Sequence, residues 1–81
     1  MKATVIGIRK DVNFEDQQTG KVVSGASFFI GYPDDYIEGM TVKKCFVTSQ
    51  RISGLTYFPR AGEEVQVEFN AYGKLQDIRQ I

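Results

Sequence analysis

Aromatic rings set next to cations are the chemistry this chain offers. Tyr57-Phe58-Pro59-Arg60 places two rings beside a guanidinium, Tyr72 stands two residues before Lys74, and Tyr32 and Tyr36 flank Pro33. A base stacks on an exposed ring for about 1–3 kcal/mol while cations follow the phosphates, so this combination suits single-stranded nucleic acid. The candidate contacts are Tyr72, Arg79, Lys74, Lys43, Arg60, Tyr57 and Lys21. In the mechanism they imply, Tyr72 stacks a base while Arg79, Lys74 and Lys43 neutralise phosphate. Tyr57 and Phe58 also suit a plug at the end of a barrel, and Tyr72 equally suits contact with a partner subunit.

The groups that catalysis needs are scarce. The chain has no His, which removes the commonest general base and the usual partner of a Ser or Cys nucleophile. Its one Cys, Cys45, excludes an internal disulfide and a Cys-rich metal site. Cys45 lies in the apolar run Lys44–Val47 and is expected to pack inside, and a lone free thiol fits a reducing compartment. Glu63 and Glu64 are no acid–base pair, since neighbours on a strand point opposite ways. Asp34, Asp35 and Glu38 do not match the spacing of an EF-hand loop and read as a solvated turn. Thr19-Gly20-Lys21 lacks the first glycine of a phosphate-binding loop and reads as a hairpin turn. The expectation is a binding protein, not an enzyme, with no metal, cofactor or small-molecule substrate.

Strands must position these residues. At 81 residues the chain is one domain, 1–81, with room for one thin core. Hydrophobic residues at 42% make it too apolar for disorder. β-rich runs cover Ala3–Phe14, Val22–Tyr32, Thr41–Ser49, Glu63–Asn70 and Leu75–Ile81, with turn signals between them. Gly7 marks a bulge or bend in the first run. In the second, Ala26, Phe28 and Ile30 share one face and Ser27, Phe29 and Gly31 the other. The fourth alternates most cleanly, Val65, Val67 and Phe69 against Glu64, Gln66 and Glu68. Gln50–Gly62 is the one stretch with room for a short helix. Five strands with a long third connection predict an all-β, OB-fold-like Greek-key barrel, with an SH3-like barrel as the alternative. No signal-peptide stretch or membrane span is present, so a cytoplasmic location is expected.

Formal charge is zero, from ten basic and ten acidic residues. A nucleic-acid binder usually carries a basic excess, so the two signs must be segregated for one face to be basic.

The hairpin Phe69-Asn70-Ala71-Tyr72-Gly73-Lys74-Leu75, with Arg79 after it, resembles the closing hairpin of the gene V-type single-stranded DNA-binding proteins of filamentous phages. It is similar also to small single-strand-binding proteins of mobile elements in Gram-positive bacteria. Tyr72, Leu75 and Arg79 occupy the places of that family's aromatic, Leu and Arg. The resemblance implies an OB-fold homodimer that coats single strands without strong sequence preference, in replication or transfer of a phage or mobile element. The chain departs from it in the loop Glu15–Lys21, where acidic Glu15 and Asp16 stand in place of a basic wing with a stacking Tyr. A protein-interaction module using Tyr72 and Phe29 is the competing expectation, favoured by the zero charge.

Overall fold

The computed structural model describes all 81 residues, and every element but one short helix is a strand. The strands are β1 (Lys2–Glu15), β2 (Val22–Pro33), β3 (Met40–Thr48), β4 (Glu64–Phe69) and β5 (Leu75–Gln80), with α1 (Ser49–Ile52) between β3 and β4. All pairings are antiparallel and form a single sheet in the order β3-β2-β1-β4-β5. The first three strands form a meander, and β4 returns over a long connection to lie beside β1. That is the Greek-key arrangement, and it bears out the all-β expectation. The curled sheet is barrel-like, and no backbone hydrogen bond joins its edge strands β3 and β5.

One face of each strand builds the core. Ala3 and Val5 from β1, Ala26, Phe28 and Ile30 from β2, and Cys45 and Val47 from β3 meet Val65, Val67, Leu75 and Ile78. Alternation supplies this set in β1 to β4, because successive strand side chains point to opposite faces, whereas in β5 the register shift between Leu75 and Asp77 brings both Leu75 and Ile78 inward. Of the two faces that alternation gives β2, the one with Ala26, Phe28 and Ile30 turns inward, and Cys45 is buried as expected. Gly25 allows β2 and β3 to approach closely, since a Cβ there would lie 2.1 Å from the Val47 carbonyl oxygen.

β1 breaks register twice against β2. One break, between Val5 and Gly7, is the bulge that Gly7 signals. The other, between Arg9 and Val12, has no glycine to announce it, and Asp11 takes a positive φ of 57° there. The helix is a single turn whose first N–H groups are met by Thr48, its hydroxyl accepting from the Arg51 N–H. It occupies the start of the connection in which a short helix was expected. Pro59 is fully buried, and Tyr57 packs against the core beside it. No helix is long and apolar enough to cross a membrane.

Candidate nucleic-acid interface

The β4–β5 hairpin holds its tip rigidly by local hydrogen bonding. The Asn70 side-chain oxygen accepts from the Tyr72 N–H at 2.9 Å and the Lys74 N–H at 3.0 Å. The Asn70 N–H donates to the Lys74 carbonyl at 2.8 Å, and Gly73 supplies the positive φ of 75° that closes the loop. Tyr72 has no apolar neighbour to cover it and stands 88% exposed.

Beneath this tip lies the seam between β3 and β5, bridged by side chains. The Lys43 ammonium donates to the Gly73 carbonyl and sits over the Phe69 ring, 4.8 Å from its centroid. Arg51, from α1, donates to the Leu75 carbonyl. These contacts pin the hairpin to β3. They also line a cleft of about 520 Å³ with Lys44, Lys74, Phe46, Thr48 and Cys45. Four of its nine lining residues are cations, and none is acidic. Burial pushes the Cys45 thiol above its ordinary range, opposed by the charge of Lys43, so the thiol faces the cleft wall as a neutral group.

The neutral total hides this segregation. Of the ten basic side chains only Lys2 and Arg79 have a carboxylate within 4.0 Å. Several acids are committed elsewhere. Asp34 accepts from the Tyr36 N–H and the Thr41 hydroxyl, both at 2.9 Å, and these bonds lower its pKa. The Asp34–Glu38 turn is solvated as expected, with Asp35 and Glu38 exposed and Asp34 bonded within it.

The seven residues singled out from the sequence do not form one site. Lys74 and Lys43 come together at the seam, and Tyr72 stands exposed at the hairpin tip next to Gly73, which lines the cleft. Arg79 lies on the outer face of β5, where its guanidinium bonds Glu68 at 2.9 Å and Asp77 at 3.3 Å. Arg79 is thus ion-paired with Glu68 and Asp77 and is not among the residues that line the seam cleft. Tyr57 is turned inward, its hydroxyl donating to Glu63 at 2.8–2.9 Å, which raises its own pKa. The barrel-end plug, the other role considered for this residue, is the one its position fits. Arg60 lines a separate cleft with Lys10 and Phe58. Lys21 is exposed at the end of the β1–β2 loop, remote in sequence from the cleft.

Three cleft residues escaped the sequence reading. Lys44 follows Lys43 on a strand, so the pair puts one cation on each side of the β3 edge. Arg51 reaches the seam only because α1 places it there. Phe46 faces outward and makes an edge-to-face contact with Phe14, centroids 5.3 Å apart, with Phe14 itself 48% exposed. The alternation Val42, Lys44, Phe46 carried that signal for an outward ring.

No protein-family model matches the chain, and no curated protein or solved structure is significantly similar to it.

Proposed function

We propose that the chain binds single-stranded DNA with little regard for sequence, at the seam cleft between β3 and β5, and is not an enzyme. The observation that carries this reading is the cleft lined by Lys43, Lys44, Arg51 and Lys74 without an acidic residue, bordered by the hairpin tip that exposes Tyr72. Phosphates lie along the cations and a base stacks on Tyr72. Phe46 and Phe14 extend the aromatic surface from the cleft toward the β1–β2 loop. Five-stranded Greek-key barrels of the OB type bind oligonucleotides on the β2–β3 face and at the β1–β2 and β4–β5 loops, and the seam cleft draws on two of these regions, strand β3 and the β4–β5 loop. The likeness of the hairpin to the gene V-type proteins supports the same ligand and suggests replication or transfer of a phage or mobile element as the setting. The unpaired Cys45 thiol favours a reducing, cytoplasmic site of action.

Fluorescence anisotropy with a labelled oligothymidylate tests the reading. Four phosphate contacts at about −0.7 each give a log–log salt slope of about −3. The Lys44→Gln/Lys74→Gln variant should reduce the slope by about 1.4. Tyr72→Ala should weaken binding about 5- to 100-fold without changing the slope, since stacking releases no counterions. Absence of binding by the unaltered chain at low salt would sink the proposal.

A second reading, self-association, is favoured by one observation. The outer face of β1, β2 and β3 leaves Ile6, Met40 and Val42 exposed by 50, 42 and 55%. Apolar side chains clustered on a sheet face mark an interaction surface more often than singly scattered ones, and a second copy of the chain is the proposed partner.

A further inference from the structure

The Tyr57–Arg60 stretch takes no part in the seam cleft. Pro59 sinks fully into the interior, and the Tyr57 hydroxyl bonds Glu63. Phe58 does neither. Its ring makes an edge-to-face contact with Phe28 at 5.5 Å, yet the residue remains 40% exposed. The Lys10 ammonium lies 5.9 Å from its centroid. Lys10 reaches this position at the second register break of β1, where Asp11 adopts its positive φ. Bulges of this kind re-aim side chains, and a non-glycine residue in the left-handed region is strained. Arg60 joins Lys10 and Phe58 in lining a cleft of about 330 Å³. Neither cation has a carboxylate within 4.0 Å.

We propose that this cleft is a second nucleotide-binding subsite, in which a base stacks on the open side of Phe58 and its phosphate lies between Lys10 and Arg60. The proposal rests on the single-strand reading of the seam cleft and extends it: one chain holds two separated stretches of the same strand. The six residues of β4 stand between the loop that carries Phe58 and the hairpin that carries Tyr72, a span of about 20 Å at ~3.3 Å per residue. A strand engaging both subsites must therefore be longer than one filling the seam alone.

Oligothymidylates of about 4 and about 16 nucleotides, the limits of site size for a single OB-type barrel, separate the two cases. In anisotropy titrations, Lys10→Gln/Arg60→Gln should weaken the long strand about tenfold and the short one by no more than about twofold. For the long strand the salt slope should fall by about 1.4, two contacts at about 0.7 each. Phe58→Leu should weaken the long strand with its slope intact, and Phe58→Tyr should restore it. Equal loss on both lengths, or no loss on the long strand, overturns the second subsite. If the Lys10/Arg60 variant is silent while Lys44→Gln/Lys74→Gln weakens both lengths, only the second subsite falls. If the unaltered chain binds neither length, the single-strand reading falls with it. Thermal melts check that each variant is folded, and should Phe58→Leu fail to fold, the exposed Lys10/Arg60 pair still decides the question.

Discussion

Asp77 accepts hydrogen bonds from the Thr56 N–H at 2.8 Å and the Thr56 hydroxyl at 2.7 Å, tying β5 to the connection that follows α1. The Ile78 N–H and the Arg79 guanidinium add to these. Donation by Thr56, first through its hydroxyl and then its amide, lowers the Asp77 pKa from 3.8 to about 2. The unfolded chain therefore takes up this proton at higher pH than the folded one, and its stabilising effect is complete above the unfolded value and lost as pH falls toward 2. Asp77→Asn should lower the melting temperature near neutrality by about 4–8 °C, corresponding to about 1 kcal/mol. Melts repeated in acid should show the gap between the two proteins narrowing as pH falls below the unfolded value; a gap constant with pH would remove the charge from the account. Thr56 and Asp77 are 21 residues apart, and no local pattern pairs them. The sequence shows a carboxylate on a strand. Only the path of the connection after α1 supplies its donors.

The strands were legible where they keep a period of two, and β4 shows it best: Val65 and Val67 are buried while Glu64, Gln66 and Glu68 are exposed. The hairpin loop Asn70–Lys74 was legible for the same local reason, its Asn and Gly being what such a turn requires. The second bulge of β1 was not, because Asp11 is no glycine and its conformation is imposed by the register on either side. Close packing between elements was equally hidden. Gly25 and Gly7 look alike in the sequence, yet a Cβ at Gly25 would meet Val47 backbone at 2.1 Å, whereas at Gly7 the nearest atom is 3.9 Å away. Gly25→Ala should destabilise the fold by about 1–3 kcal/mol or more, since backbone must move to relieve the overlap. Gly7→Ala should be near neutral. Denaturant unfolding of the two variants checks the contrast, and equal effects would show that β2 and β3 can separate at no cost.

At the scale of the molecule, two surfaces compete for an explanation. The seam is lined by cations without acids, and the outer face of β1 to β3 is apolar around Ile6, Met40 and Val42. They can coexist, with copies of the chain meeting through the apolar face while the cleft remains open. We expect light scattering to give twice the chain mass and Val42→Lys to return it to the monomer, as a charge buried across a twofold interface would oppose its own copy. A monomeric unaltered chain would assign that face to solvent.

The sequence by itself determined that the chain is all-β, where its strands run, and which residues of β4 face the core, because burial and alternation act over a few residues. It also displayed the aromatic rings and cations from which a binding site could be built. Tertiary structure decided how they are grouped. Lys43, Lys44, Arg51 and Lys74 come from three elements and meet only where the two edges of the sheet approach, while Arg79 is claimed by Glu68 and Asp77 and Tyr57 by Glu63. Charge pairing depends on distance through space, which strand order and curvature set. A composition of ten against ten could not show that one cleft holds cations alone.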